Sequence, residues 1–354
     1  MSALARFRST FEPILQDAVA SDVSGSKALV QDPLLADAVA HAGRLALAGG
    51  KRVRPYIADL MYRGLGGRRL KASRERFVTL ELFHVFGLVH DDIIDRGLER
   101  HGVPTVHRRV AAALKEAART GDFDRVGESQ ALLVGDLVFA WVCRRISGDA
   151  PFSAKAAARM RDRFYRMVEE VVVGQMVDVD LTTRPLATSA LIDDKMRLKT
   201  ASYTFVRPMQ IGTALADGSA KDDRFCEAFG LALGLAFQIQ DDLIDLTATA
   251  EVSGKTPLRD LAERQHTVFT QWIAENGTAM HRKELKSLFG QDLRAKDQPR
   301  VVALFKESGA IDYGKSLIDG YFTQAVTAVR ASRYPEPMKA ELLELVGLVK
   351  GRSK

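Results

Sequence analysis

The stretch 74–95 sets the tightest limit on the fold. Its apolar residues recur with a helical period, it holds no proline and one internal glycine, Gly87, and it ends in His90-Asp91-Asp92-Ile93-Ile94-Asp95. That ending recurs 150 positions later as Gln240-Asp241-Asp242-Leu243-Ile244-Asp245, again behind an apolar run, Phe237-Gln238-Ile239. On a helix, carboxylates at i, i+1 and i+4 crowd into one arc within a single turn. Such acids repel one another and call for cations. Hard oxygen ligands at this spacing suit Mg²⁺ shared with a phosphate-bearing substrate, because Mg²⁺ keeps much of its water and rarely takes an all-protein cage. A single acidic helix face is commonly just solvated. Two copies with matched apolar flanks are a specific signal.

Elsewhere the helical period also dominates, and clean strand-turn-strand patterns are absent. Asp32-Pro33 reads as an N-cap followed by proline in the first turn, with Gly49-Gly50 closing that helix. Breaks fall near Gly64, Gly121, Gly148, Gly218 and the stretch 293–299, none of them biased or long enough to be an interdomain linker. The valine-rich stretch 168–181 has strand propensity, but Gln175 and Asp178 sit three apart, and a helix is expected there. The expected fold is all-α: a single large helical domain over 1–354, with ten or more helices.

The 354 residues, 46% of them hydrophobic, suffice for a large core. The net charge of +6 is diluted, 51 basic against 45 acidic residues with no like-charge block, and aromatics make up only 7%. This argues against nucleic acid. Cys143 and Cys226 are isolated, so no disulfide framework is implied. Residues 1–8 carry two arginines but no apolar core of signal-peptide length follows, and the apolar stretch 230–239 is too short to span a bilayer. The chain is expected to be cytoplasmic, without stable membrane insertion.

The motifs Gly49-Gly50-Lys51-Arg52-Val53-Arg54-Pro55, Glu81-x-x-His84, the two acidic motifs, Leu133-Val134-Gly135-Asp136, Gly174-Gln175-x-x-Asp178, Lys199-Thr200-Ala201 and Phe237-Gln238-Ile239 together resemble the trans-isoprenyl diphosphate synthases, in that family's order. Even the basic tail 349–354 is similar. The resemblance implies an isoprenoid synthase-like fold with both acidic motifs facing a central cavity, a homodimer, and Mg²⁺, three ions per site. It implies that Asp91, Asp92 and Asp95 hold two ions, and Asp241 with Asp245 the third. Arg100, Lys199 and Lys255 would grip an allylic diphosphate, and Lys199, Thr200 and Gln238 would flank the reacting cation. Lys51, Arg54, His84 and His101 would hold isopentenyl diphosphate.

Each residue also has a plainer reading. Lys51 and Arg54 could be solvated cations after a helix end, and the Gly-Gly-Lys there is not a P-loop because Arg52 follows the lysine. His84 could be a satisfied core histidine. At about 100° per residue, however, His84, Asp91 and Asp95 share an arc of about 40°. Gln175 and Asp178 could equally be helix–helix hydrogen-bond partners.

The chain departs from the family pattern twice. Arg100-His101-Gly102 stands where Arg-Arg-Gly is usual, and a histidine cannot make the two-pronged guanidinium contact. Arg264-Gln265-His266-Thr267 stands where Gly-Lys-x-Thr is usual, so a cation is missing at 265 and one is gained beside it. The expected activity is condensation of an allylic diphosphate with isopentenyl diphosphate. The alternatives are a terpene cyclase or transferase to another acceptor, and a non-catalytic partner subunit. Intact acids in both motifs speak against the last. The product length is read from Gly87, one turn behind Asp91, Phe83, two turns behind, and Phe86 flanking the gap: a channel open for its first turn and narrowed at its second. A bulky aromatic five residues before the motif with a small residue after it resembles geranylgeranyl-type relatives, which implies C20, with C15 next.

Overall fold

The computed structural model describes residues 2–100, 102–248 and 257–351. His101, Lys255 and the tail residues Arg352 and Lys354 lie outside the described residues. The chain forms two compact units, Met1–Arg161 and Asp162–Lys354.

In the first unit the central element is α4 (Leu70–Ile94), buried on nearly all sides along Phe77, Val78, Leu80, Leu82, Phe83 and Val85. Around it lie α1 (Ala3–Lys27), α2 (Pro33–Leu47), α3 (Val53–Gly64) and α6 (Phe123–Ser147), with α5 (Val106–Glu116) packed on α6. The start of α2 follows from its sequence: Asp32 Oδ1 accepts from the Leu34 and Leu35 amides at 2.8 and 3.2 Å, and Pro33 has no amide to satisfy. Gly49 and Gly50 carry φ of +118° and +102°, which L side chains rarely adopt, so the helix stops where the glycines stand.

One element differs from expectation. Glu99–Arg100 pairs antiparallel with Val103–Pro104, a hairpin two residues deep that turns at Gly102, φ +76°. Two residues cannot display an alternating pattern, so no strand was legible. Thr105 fastens the hairpin's base, its hydroxyl donating to Gly97 O at 2.9 Å.

In the second unit α8 (Ser189–Lys195) runs directly into a π-helical segment, Met196–Val206, and then α9 (Arg207–Leu215). The valine-rich stretch is helical as expected, the end of α7 (Ala154–Leu181). α10 (Ala220–Thr247) packs along the π-helical segment and along the helix Ala310–Ala331. Glycine permits the first of these contacts. A Cβ on Gly234 would overlap Ala201, and one on Gly230 would come within 2.9 Å of Val206 Cγ2. From α7, Gly174 faces the same segment, where a Cβ would lie 2.6 Å from the Lys199 amide nitrogen. Backbones this close leave no room for an alanine.

Among the described helices α6 alone is long and apolar enough to cross a membrane. It carries Asp136 at mid-length and packs on α4 and α5.

Candidate active site

The first acidic motif closes α4. Asp92 is 2% exposed, and its Oδ1 accepts from Arg100, from Nε at 3.0 Å and from a terminal nitrogen at closer range. The same guanidinium lies 3.7 Å from Asp91. The hairpin thus returns Arg100 onto the motif that precedes it. Burial pushes the Asp92 carboxyl above the usual range, and the Arg100 contact only partly offsets this. Its Oδ2 is buried without a hydrogen-bond partner among the described residues. Asp91 and Asp95 are half-buried.

His90 packs against α6. Its Nε2 lies 3.1 Å from Leu132 O, and a Cβ on Gly135 would overlap its ring. This gives the glycine of Leu133-Val134-Gly135-Asp136 a purpose: it seats the residue that leads into Asp91.

The basic loop is held by a residue the sequence reading passed over. Arg52 has φ +52°, an unusual conformation for a residue with a side chain, and is 5% exposed. Its guanidinium donates to Glu81 Oε2 at 2.8 Å and to Glu12 Oε1 at 3.1 Å. Glu81 lies three residues before His84 on α4, so this buried ion pair ties Lys51 and Arg54 to the segment that carries His84. Lys51 is exposed; Arg54 and His84 are half-buried.

Behind the first motif, a Cβ on Gly87 would meet no atom within 4 Å, so this face of α4 is open. Phe83, 1% exposed, stacks on Phe86 at 5.4 Å between ring centroids, and Phe86 lies 5.1 Å from Phe139 of α6. Phe139 thus joins Phe83 and Phe86 in one ring cluster, although no local sequence signal links it to the motif.

In the second unit a chain of hydrogen bonds crosses from the π-helical segment to α10. Thr200 Oγ1 donates to Gln238 Oε1 at 2.6 Å, and Gln238 Nε2 donates to Asp242 Oδ1 at 2.7 Å. Lys199 Nζ lies 2.5 Å from Asp178 Oδ2. Burial opposes ionisation of Asp178, but the ammonium groups of Lys199 and Lys195 outweigh it and hold its carboxyl below the usual range. Asp178 is thus an anchor for Lys199, reached from Gly174-Gln175-x-x-Asp178.

The acids at the end of α10 are more numerous than the motif predicts. Asp245 accepts the backbone amides of Arg259 and Asp260 at 3.2 and 3.1 Å, capping the short helix Arg259–Ala262. Asp260 thereby joins the cluster. Burial, then the neighbouring carboxylates, push Asp260 well above the usual range. Asp242 is pushed up to about 7, chiefly by burial, with Asp241 and Asp245 adding to it. Asp260 lies 15 residues beyond Asp245 and had no sequence signal of its own.

Among the described residues no group of three or more His, Cys, Asp or Glu side chains forms a ready-made metal cage. The donors nevertheless fit a hard cation bound with a substrate. All are carboxylate oxygens, one of them orphaned and buried, in clusters whose mutual repulsion a cation would relieve.

Helix ends that gather carboxylates, with lysine and arginine fixed alongside by ion pairs, define an all-α class of protein suited to diphosphates. The particular family follows from comparison. Residues 36–306 match the polyprenyl synthetase family, and the chain belongs to it. It is similar to the geranylgeranyl diphosphate synthase of Methanosarcina mazei, 29% identical over 278 residues that cover 78% of each chain. It is also similar to the geranylfarnesyl diphosphate synthase of Aeropyrum pernix, 28% identical over 310 residues, 86% of this chain and 90% of that one. Its fold matches the crystal structure of geranylgeranyl pyrophosphate synthase from Corynebacterium glutamicum, complexed with isoprenyl diphosphate and magnesium. The TM-score is 0.88 at 27% identity, covering 97% of this chain and 98% of that one.

Proposed function

We propose that the protein is a prenyltransferase that elongates an allylic diphosphate with isopentenyl diphosphate, with a C20 diphosphate as its main product. The observation that carries this reading is the four-acid cluster Asp241, Asp242, Asp245 and Asp260 beside the Lys199–Thr200–Gln238 array. The family match runs from residue 36 to 306 and so spans both acidic motifs.

Mg²⁺ would be held by Asp91, Asp92 and Asp95 for two ions and by Asp241 and Asp245 for a third, and when bound would spread the negative charge that develops on the departing diphosphate. The side chains do the rest. Arg100, Lys199 and Lys255 grip the allylic diphosphate. As its C–O bond breaks, the electron pair leaves with the diphosphate and an allylic cation remains. Thr200 and Gln238 present oxygens to that cation and are held in place by their mutual hydrogen bond. Lys51, Arg54, His84 and His101 orient isopentenyl diphosphate so that its double bond supplies the electrons of the new carbon–carbon bond. The tertiary cation so formed loses a proton to the released diphosphate, and a new allylic diphosphate results.

The enzyme is read as a cytoplasmic homodimer. Exposed apolar side chains support an interface in each unit taken alone: Leu132 and Leu133 on α6, and Val172, Val173, Met176 and Val179 on α7. Cys143 and Cys226 remain thiols.

The test is incubation with Mg²⁺, labelled isopentenyl diphosphate and allylic diphosphates of increasing length. Labelled, elongated diphosphates are expected. Unlabelled hydrocarbon or alcohol would point instead to a cyclase or another acceptor, and no turnover to a partner subunit.

A further inference from the structure

One buried cation in the second unit has no part in the chemistry above. Lys195 is the last residue of α8, four before Lys199, and is 9% exposed. Its Nζ donates to His266 O at 2.7 Å and lies 3.4 Å from Gln265 Oε1 and 3.4 Å from Asp178 Oδ1. The other oxygen of Asp178 holds Lys199 at 2.5 Å. One carboxylate is therefore shared between two ammonium groups, and the second of these is pinned to the segment 265–266.

A buried ammonium is costly unless charge and hydrogen bonds compensate it. Here the compensation comes from Asp178 and the His266 carbonyl oxygen. An apolar residue at 195 would leave the Asp178 carboxylate to Lys199 alone of these two ammonium groups.

The segment it touches is one of the two places where the sequence departs from the family pattern. By the resemblance set out above Gln265 stands where a lysine is usual, and its side-chain oxygen lies 3.4 Å from Lys195 Nζ. The charge missing from one side of this contact is present on the other.

We propose that Lys195 is a positioning residue that supplies from α8 the positive charge lost at position 265. It fixes Asp178, and through it Lys199, the lysine read above as gripping the allylic diphosphate. The proposal rests on the functional reading above.

The test is a charge swap: Lys195→Met, Lys195→Met with Gln265→Lys, and the wild type. The first readout is calorimetric binding of inorganic pyrophosphate with Mg²⁺, which needs no turnover; the second is the KM of each substrate. Lys195→Met should weaken pyrophosphate binding and raise the allylic KM by about tenfold or more, the loss of one close charge contact. The KM for isopentenyl diphosphate should change by less than about twofold, since its contacts lie elsewhere. Adding Gln265→Lys should recover most of the loss. A merely structural role would move both KM values or neither, and a lysine at 265 would not repair it.

Unchanged binding in Lys195→Met, or a double variant no better than the single, overturns the proposal. If Lys195→Met does not fold, the double variant decides: it must fold and bind pyrophosphate within about threefold of the wild type, and failure to do so counts against the swap. A wild type that binds Mg²⁺ and pyrophosphate yet elongates nothing refutes the prenyltransferase reading and leaves the calorimetric comparison standing.

Discussion

Gly87→Phe is the sharpest probe of product length. Apart from its own stretch of helix, no atom lies within 4 Å of the position a Cβ would take, so a side chain can start there without a clash at its root. Phenylalanine is also a better helix former than glycine by a few tenths of a kcal/mol, so the melting temperature should hold or rise slightly. If the growing tail runs back along α4 from Asp91, the floor of its channel moves from Phe83 to position 87. That is four residues, about 6 Å at 1.5 Å per residue, close to the length of one five-carbon unit. Forcing the longer product past the new ring should cost about 1–3 kcal/mol, as overpacking does, which is roughly a 5- to 150-fold fall in the C20:C15 ratio. The assay is product analysis by mass spectrometry after extended incubation with labelled isopentenyl diphosphate. A folded, active Gly87→Phe enzyme with the wild-type product distribution would refute the reasoning, because the tail would then follow another face. Phe83→Ala should lengthen the product, but Phe83 supports a ring cluster with Phe86 and Phe139, so it should also cost about 3–5 kcal/mol of stability. Phe86→Ala opens the same cluster and should lengthen the product likewise.

Three further outcomes are expected. Asp91→Asn and Asp241→Asn each remove a charge-bearing ligand at nearly constant volume and should lower turnover by about 10²-fold or more; near-wild-type rates for both at saturating Mg²⁺ would reject the site. His101→Arg replaces a part-time cation by a permanent fork of donors and should lower the KM for isopentenyl diphosphate while leaving the allylic KM nearly unchanged; an unchanged or raised value assigns His101 another role. The third concerns Glu170, which lies off the reacting groups and is ion-paired at 2.5 Å with Arg207 and hydrogen-bonded by Ser202. Burial opposes its ionisation, but these partners outweigh it and lower its pKa from the ordinary 4.5. The stabilisation is therefore complete above pH 4.5 and is lost as pH falls through the lower folded value. Glu170→Gln should cost about 3–5 kcal/mol at pH 7 by stranding Arg207. The gap in melting temperature from wild type should narrow on acidification below pH 4.5, and a gap independent of pH would show that the pair is not what stabilises this region.

The helices and their ends were legible because local chemistry decides them. Asp32-Pro33 and Gly49-Gly50 bound α2 for reasons confined to a few residues, and the proline-free period of 74–95 could satisfy its backbone only as a helix. The valine-rich end of α7 shows the limit of this reasoning. Propensity favoured a strand, and the observed helix is held by contacts remote in sequence, Glu170 with Arg207 and Asp178 with Lys199. The hairpin at Glu99–Arg100 was missed for the opposite reason: it is shorter than any period that could reveal it.

What the motifs could not express is how their residues are held. Lys199, Thr200 and Ala201 sit on a π-helical segment, and nothing in Lys-Thr-Ala encodes an i→i+5 bond. The signal lies instead in three glycines on two other helices: Gly174 on α7, and Gly230 and Gly234 on α10. Each stands where a Cβ would intrude on that segment. Only when the backbones approach this closely does Thr200 reach Gln238, and Gln238 reach Asp242. Arg52 follows the same logic in the first unit. A motif reading treats it as one more cation in a basic patch, yet its bond to Glu81 and its left-handed backbone aim the neighbours on either side. The residues that do the chemistry are thus readable from type and spacing. Those that position them are readable only once the fold shows which backbones touch.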